Sequence, residues 1–227
     1  IIHAAPLIER GLIDRASAGM DALRRGDYET GVPPRPSYWS PGDSAAKLCK
    51  IELPQLANRA IMELVSHSEI GRIPAEATGA DMVQVWWVQL LYKPPSLPED
   101  TPRTNVGWHQ DRQYWGGWED GSELLTAWVA LSDVTMECGA MRFVRGSHKW
   151  GLVQGSDFYG QDHSAQMNEI QTREQRNWEE EPAVLPAAGL SLHHSLTLHA
   201  SGPNVSGTPR RSFAIHLRTE RSAPRGG

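Results

Sequence analysis

The sequence predicts a mainly β fold, a double-sheet jelly roll with helices on its N-terminal side. The chain of 227 residues contains 21 Gly and 16 Pro, which favour many turns over long helices. From residue 82 onward, short runs rich in Val, Trp, Tyr and Leu follow one another without intervening helical patterns. Strands at this density pair as an antiparallel sandwich or barrel. We expect residues 1–227 to form a single domain, because a chain of this length can bury one sizeable core.

Helices are predicted in the first part of the chain, about residues 1–80. Apolar residues recur at helical spacing between residues 4 and 25, and Gly26 provides a stop. Four prolines and a glycine then mark an irregular connection over residues 33–42. Leucine and isoleucine residues share one side of a second predicted helix, over residues 53–67.

The jelly-roll core is predicted over about residues 81–220. Its expected strands are 82–93, 124–131, 140–144, 183–185, 190–199 and 212–218, separated by Gly and Pro. Residues 154–181 are polar and end in three glutamates, so they are predicted as an insertion between strands. Because a long loop in a compact domain is usually functional, we expect this insertion to be a lid over the site.

Composition excludes several classes of partner. The formal net charge of -5 and a pI near 6.0 provide no basic surface for nucleic acid or anionic lipid. No apolar run reaches the roughly 18 to 20 residues that span a bilayer. Two cysteines, Cys49 and Cys138, are too few for a disulfide framework, so we expect a cytoplasmic protein. The chain starts at Ile1 without Met, so a preceding segment is expected to be missing. A small organic substrate is the expected partner, and the oligomeric state is not predicted.

A concentration of metal-ligating residues marks the candidate site. In NVGWHQDRQYW, residues 105–115, His109 and Asp111 share one face if the segment is a strand. Alone, such a pair is more often a hydrogen-bonded couple on a surface strand. The segment GLSLHHSLTLHASGPN adds His193, His194 and His199. Two imidazoles and one carboxylate on one face of an iron leave open positions, as in the facial triad of non-haem Fe(II) oxygenases.

These motifs resemble the phytanoyl-CoA dioxygenase family of Fe(II)- and 2-oxoglutarate-dependent oxygenases. The resemblance covers about residues 83–217, and three motifs carry it: HQD at 109–111, GAMRFVRGSHKWG at 139–151, and HHSLTLHASGPN followed by PRR at 194–211. It implies a cupin-like, double-stranded β-helix. Gly146–Ser147–His148 is expected to form a turn after a strand and to have no catalytic role.

The resemblance implies a role for each matching residue. His109, Asp111 and His199 would be the catalytic iron ligands, and Arg210, eleven residues after His199, would bind the distal carboxylate of 2-oxoglutarate. A guanidinium suits this task because it is always charged and offers a planar fork to a carboxylate. Ser201 would add a hydroxyl to the same carboxylate, or serve only as a turn residue.

Four further residues are implied to line the 2-oxoglutarate pocket. They are Gln89 and Lys93 on one strand, and Thr126 and Trp128 on another, each pair sharing a strand face. A core aromatic is the alternative interpretation for Trp128, and a solvated strand end is the alternative for Lys93.

The remaining histidines and tryptophans carry weaker hypotheses. His194 lies five residues before His199, so on a regular strand the two face opposite sides unless a bulge intervenes. We therefore expect His194 to be structural or to lie behind the ligands, and His193 and His216 to be structural. Trp115 and Trp118 flank the HQD segment and are nominated as walls of a substrate pocket.

The implied reaction is oxidation of a substrate C–H bond, with Fe(II), 2-oxoglutarate and O2, and release of succinate and CO2. Asp111 favours hydroxylation, desaturation or ring formation over halogenation, because halogenating relatives have a small residue there. The aromatic surroundings indicate a medium-sized molecule of specialised metabolism. Alternatives are a jelly-roll zinc hydrolase using the same three ligands and a binding module without turnover. A Ser-His-Asp hydrolase is disfavoured, because the sequence has no Gly-x-Ser-x-Gly motif.

Overall fold

The computed structural model describes residues 1–96 and 104–226, which form two antiparallel sheets. The strands are β1 (Ile2–His3), β2 (Cys49–Glu52), β3 (Val83–Lys93), β4 (Val106–His109), β5 (Leu124–Ala130), β6 (Met141–Val144), β7 (Glu180–Pro182), β8 (Leu190–His194), β9 (His199–Ser201) and β10 (Arg210–Thr219). The larger sheet has the order β1-β8-β5-β10-β3-β2, and the smaller has the order β4-β9-β6-β7. This arrangement confirms the mainly β, two-sheet prediction.

The helices are α1 (Arg10–Arg25), α2 (Arg59–Val65), α3 (Ser68–Thr78) and α4 (His163–Glu174). Helix α1 ends as predicted at Gly26, which adopts the left-handed conformation (φ 87°) that favours glycine. The second predicted helix is wrong in its first half: Pro54–Leu56 is a 3-10 turn, and the Asn58 side chain caps α2 by accepting from the Ile61 N–H. Helix α3 was not predicted. None of the helices in the described ranges is long and apolar enough to cross a membrane.

The two faces of the large sheet have different tasks. On β5, Leu125, Ala127 and Val129 point outward into a core shared with α1, α2 and α3. Alternate residues, among them Thr126 and Trp128, point inward between the sheets. The helices therefore cover one face, and polar chemistry is confined to the other.

Three strand predictions were wrong in detail. The predicted strand 190–199 is two strands, β8 and β9, which belong to different sheets and are separated by a turn in which Thr197 N–H donates to His194 O. Strand β4 ends at His109, and Asp111 begins a 3-10 turn, so the two residues converge without sharing a strand face. The predicted strand 183–185 follows β7, with Leu185 in an isolated bridge to Val134. Strand β2 was missed.

The insertion 154–181 is packed against the small sheet. Gly107 N–H donates to Phe158 O, and Asp157 N–H donates to Trp108 O, each at 2.9 Å. A Cβ added at Gly107 would lie 2.2 Å from Asp157 O, so this close approach requires glycine. Ile170 of α4 is fully buried in the same cluster as Trp108. The segment therefore has a fixed place beside β4.

Candidate active site

The structure brings His109, Asp111 and His199 together at the inner ends of β4 and β9. Their ligand atoms all lie within 4.8 Å of one another. Asp111 Oδ1 is 3.7 Å from the Nε2 atom of each histidine. The two imidazole centroids are 4.1 Å apart, because His109 and His199 are paired across the strands. This separation is suitable for three ligands of one metal ion.

Backbone carbonyl groups fix the tautomer of both histidines. His109 Nδ1–H donates to Gly107 O at 2.8 Å, and His199 Nδ1–H donates to Thr197 O at 2.9 Å. In each case the acceptor is two residues earlier in the chain. The Nε2 lone pairs are therefore left for the shared centre, as metal-binding histidines require.

The two oxygens of Asp111 have different surroundings. Oδ2 accepts from the Thr126 hydroxyl at 2.7 Å and from His193 Nε2–H at 3.2 Å. Oδ1 faces the Nε2 atoms of His109 and His199. The carboxylate thus offers one oxygen to a metal and keeps the other for hydrogen bonds.

Burial and neighbouring charges set the protonation states that metal binding needs. Burial, followed by His109 and His193, holds the pKa of His199 well below its usual value. Burial by itself raises the pKa of Asp111, but the imidazoles around it outweigh burial and hold that pKa well below its usual value. Near neutral pH His199 is therefore neutral and Asp111 is ionised, the forms in which these groups bind metal.

A row of three side chains crosses the large sheet beneath Asp111. Thr126 on β5 is paired with His193 on β8 and with His216 on β10. Thr126 Oγ1 lies 2.9 Å from His216 Nδ1. The single hydroxyl hydrogen goes to the Asp111 carboxylate, which cannot donate, so His216 Nδ1–H must donate to the hydroxyl oxygen.

This row shows which of the remaining histidines contacts the metal ligands. His193, which we expected to be structural, contacts Asp111, while His194 faces the other side of the sheet, beside His148. Strand alternation separates His193 from His194, but the sequence gives no sign of which faces inward. The signal lies in the pairing of three strands, which no local motif contains.

A second group of predicted residues surrounds a cavity that the triad also lines, which we call the cation cavity. Lys93 is fully buried, so the alternative of a solvated strand end is wrong. Its ammonium group donates to Ser201 Oγ at 2.5 Å and to Gly202 O at 2.6 Å. Burial, followed by the charge of Arg210, holds the pKa of Lys93 well below its usual value. Lys93 therefore lies behind Ser201, which lines the cavity together with Arg210.

Arg210 is held in the cation cavity by backbone and aromatic contacts. One terminal nitrogen donates to Gly139 O, and the guanidinium carbon lies 5.3 Å from the Trp128 ring centroid. Its Nε is buried without a partner, and burial lowers the pKa of Arg210 to about 10. Gly139 needs its positive φ of 74°, and a Cβ there would lie 2.5 Å from Gly202 O. A buried guanidinium with a free donor is a site for an anion.

The remaining predicted pocket residues separate into two groups. Thr126, Trp128 and Ser201 line the cation cavity. Trp115 and Trp118 line a larger pocket of about 390 Å³, here called the aromatic pocket, which opens at His109 and Asp111. Gln89 lines both. The aromatic pocket also contains residues that the sequence did not indicate: Lys50, Glu52, Trp86, Trp87, Tyr114, Gly117, Phe158, Tyr159 and His216.

The glycine-rich motif after β6 has a structural task. Gly146 has a φ of 76° and begins a 3-10 turn at Ser147, as predicted. The Ser147 hydroxyl donates to Val144 O and accepts from Leu198 N–H, each at 2.8 Å. The turn thereby holds the strand that carries His199.

Comparison with known proteins places this geometry in a family. The model of the phytanoyl-CoA dioxygenase family matches residues 18–212. A probable alpha-ketoglutarate-dependent hypophosphite dioxygenase from Stutzerimonas stutzeri is 30% identical over 187 residues, which cover 77% of this chain. The chain spans 58% of the length of that relative.

Solved structures share the fold over nearly the whole chain. The non-heme alpha ketoglutarate dependent carbocyclase SnoK from nogalamycin biosynthesis superposes with a TM-score of 0.74 at 20% identity, covering 99% of this chain and 81% of SnoK. The non-heme monooxygenase ThoJ superposes with a TM-score of 0.69 at 26% identity, covering 100% of this chain and 76% of ThoJ. The jelly-roll architecture expected from the sequence is therefore confirmed.

Proposed function

The chain belongs to the phytanoyl-CoA dioxygenase family, and from that premise we propose that it is an Fe(II)- and 2-oxoglutarate-dependent dioxygenase. The proposed reaction is hydroxylation of a C–H bond of a small organic substrate by O2. One oxygen atom enters the substrate and the other enters succinate, formed from 2-oxoglutarate with loss of CO2. Succinate and CO2 are the products that report the reaction.

The observation that carries this proposal is the pairing of a metal site with an anion site across one barrel. The donor set of His109, Asp111 and His199 fits Fe(II), because two imidazoles and one carboxylate leave positions for other ligands. Arg210, whose Nε is buried without a partner in the other cavity, fits the distal carboxylate of a dicarboxylic acid. A zinc hydrolase would use the first site but would leave the buried guanidinium of Arg210 without a purpose.

Each residue then has a physical task. Bound here, Fe(II) would supply the activation of O2 that couples decarboxylation of 2-oxoglutarate to substrate oxidation. Arg210 holds the far carboxylate of 2-oxoglutarate. Lys93 donates to the Ser201 hydroxyl oxygen and so leaves the hydroxyl hydrogen of Ser201 for the same carboxylate. Trp128 packs beside the guanidinium and keeps it in place.

Thr126 and His193 orient the ligand Asp111. Their hydrogen bonds occupy Oδ2, so that Oδ1 is the oxygen that would be offered to a bound metal. Binding through one oxygen keeps coordination positions for 2-oxoglutarate and O2. His216 supports Thr126 from behind.

The proposal extends to substrate source and location. The fold is shared with natural-product enzymes such as SnoK, which is consistent with a substrate of specialised metabolism. The net charge of -5 is consistent with no nucleic-acid or membrane partner. We propose a cytoplasmic location, because Cys49 and Cys138 are buried free thiols, as in a reducing compartment.

Succinate release tests the proposed function. Purified protein with Fe(II), 2-oxoglutarate and O2 is expected to release succinate slowly alone and faster with a correct substrate. Replacing Fe(II) by Zn(II) should stop release. Hydrolysis of an ester or amide by the zinc form, without succinate from the iron form, would favour the hydrolase instead.

A further inference from the structure

The aromatic pocket has the size of an organic ligand site. Its volume of about 390 Å³ falls within the roughly 300 to 1,000 Å³ typical of pockets for drug-sized molecules. It opens at His109 and Asp111, whereas Arg210 lies in the other cavity. The pocket is therefore placed to bring a substrate to the metal site from the side that the dicarboxylate leaves free.

One wall of the pocket is a cluster of tryptophans. Trp86 packs edge-on against Trp115 at 4.9 Å and Trp118 at 5.4 Å. Trp86 is the extra residue of a β-bulge, because His216 pairs with Trp87 while Leu217 pairs with Val85. The bulge allows Trp86 and its neighbour Trp87 both to line the pocket, which a regular strand would forbid.

A guanidinium fixes the loop that carries two of these tryptophans. Arg112 donates to Trp115 O at 2.7 Å and to Trp118 O at 3.0 Å. It also pairs with Asp120 at 2.9 Å. The tryptophan wall is therefore formed before any ligand arrives.

A second wall comes from the insertion and the 3-10 turn. Phe158 packs edge-on against His109 at 5.0 Å and against Tyr159 at 5.1 Å, while Tyr114 accepts a hydrogen bond from Phe158 N–H. Among the described aromatic rings, those of this wall do not pack against the tryptophan wall. A gap between two aromatic walls suits a flat ring system.

The charged groups of the pocket neutralise one another. Besides Asp111, the described charged side chains that line it are Lys50 and Glu52, which are paired at 3.2 Å. Glu52 also accepts from Trp87 Nε1 at 2.5 Å and from Gln89 at 3.3 Å. The Lys50 ammonium lies 4.9 Å from the Phe158 ring centroid. Because Lys50 and Glu52 are paired with each other, neither is available to pair with a charged substrate. A charged substrate would therefore lose its hydration in this pocket without gaining a partner of opposite charge.

Two buried polar atoms in the lining have no partner. The indole N–H of Trp86 is a donor, and Nε2 of His216 is an acceptor, because the other ring nitrogen of His216 donates to Thr126. The two rings are neighbours, with centroids 5.9 Å apart. Buried polar groups are normally satisfied, and an unsatisfied pair in a pocket points to a ligand.

We infer that the aromatic pocket binds an uncharged, flat ring system carrying one hydroxyl or secondary amide group, which accepts from Trp86 and donates to His216. This inference rests on the proposed function and names its substrate class. It separates this chain from its relative that is named for hypophosphite, a small oxyanion that would leave both walls unfilled and meet no unpaired cation in this pocket. Trp86 and His216 then determine specificity.

Calorimetric binding tests the inference on protein loaded with Zn(II) and 2-oxoglutarate, which cannot turn over. The probes are two matched pairs, 2-naphthol with naphthalene and 7-hydroxyflavone with flavone, together with hypophosphite. We expect binding of the rings, about tenfold tighter for the hydroxylated member of a pair, as one hydrogen bond provides. Hypophosphite should give no binding heat.

Variants identify the contacts. His216→Leu and Trp86→Phe should each remove most of the difference within a pair, and Trp118→Ala should weaken all four rings about tenfold. Trp150→Phe, in a separate aromatic cluster beside Trp178, is the matched control and should change nothing. If His216→Leu fails to fold, Trp86→Phe alone decides, because it removes the indole N–H while keeping an aromatic ring in the wall.

Failure of the inference can be told from failure of the proposed function. Hypophosphite binding with no ring bound, or a preference for the hydroxyl that survives both variants, would overturn the inference. A protein that binds the rings as expected but releases no succinate with Fe(II) would overturn the proposed function alone.

Discussion

In the cation cavity and around Asp111, the functional side chains come from paired strands, whereas the aromatic pocket is lined largely by irregular segments. The first region is built from β3, β5, β8 and β10, whose pairing fixes Lys93, Thr126, His193 and Arg210. The second is built from a bulge, a loop and an insertion. The sheet interior thus maintains one chemistry, while irregular segments decide which molecule it acts on.

The largest effect should come from removing a metal ligand. Asp111→Ala is expected to abolish succinate release and to weaken metal binding by more than about 100-fold, a greater loss than the 10- to 100-fold typical of residues behind the ligands. Metal competition measures this affinity in the absence of turnover. His194→Ala is the matched control, because His194 faces away from the site. Undiminished metal affinity in Asp111→Ala would break the assignment.

Arg210→Ala should act on 2-oxoglutarate and not on the metal. The loss of a buried charged contact is expected to raise the 2-oxoglutarate requirement about 100-fold, with metal affinity unchanged. The Arg210→Lys variant should need almost as much 2-oxoglutarate as Arg210→Ala, because an ammonium lacks the planar fork of a guanidinium. An unchanged KM for 2-oxoglutarate in the alanine variant would move the co-substrate out of the cation cavity.

Substitutions at Thr126 test whether the row of side chains beneath Asp111 orients this metal ligand. Thr126→Val keeps the side-chain shape but removes the hydroxyl that donates to Asp111 Oδ2. We expect a 10- to 100-fold loss of metal affinity. Thr126→Ser keeps the hydroxyl and should keep most of the metal affinity. Equal metal affinity in the Thr126→Val and Thr126→Ser variants would show that packing alone holds Asp111.

His216 belongs to both regions, and its titration gives the smallest expected effect. Burial lowers the pKa of His216 from 6.5 to about 4. Between these values the unfolded chain binds a proton that the folded chain does not, so stability is lost as pH falls from about 6.5 towards 4. For metal-free protein, the free energy of unfolding should fall by roughly 2 kcal/mol more in the wild type than in His216→Gln between pH 7 and pH 5. Parallel curves for the two proteins would contradict a buried neutral imidazole.

Local patterns were enough to predict the fold class, the end of α1 and strand β3. Gly26 ends α1, and the run 82–93 has the composition of a strand whatever it pairs with. The candidate metal ligands could also be predicted from the sequence, because HQD and the histidine-rich segment are compact motifs. Where one strand was expected over 190–199 there are two, because a turn of ordinary composition separates β8 from β9.

The second half of the site could not be predicted, because it depends on contacts between distant segments. Lys50 and Phe158 line one pocket although they lie 108 positions apart in the chain. Trp86 faces this pocket owing to a bulge that is visible only in the pairing of β3 with β10. His193 acquires its role from its neighbour across the sheet, Thr126.

The central claim is that one metal ion and one dicarboxylate share the barrel, the first on His109, Asp111 and His199 and the second on Arg210. Anaerobic titration with Fe(II), recorded by visible absorption before and after 2-oxoglutarate is added, tests it most directly. We predict a charge-transfer band that saturates at one equivalent of Fe(II) per chain, requires 2-oxoglutarate and is absent in Asp111→Ala. Metal binding without such a band, or a band unaffected by Asp111→Ala, would contradict the claim.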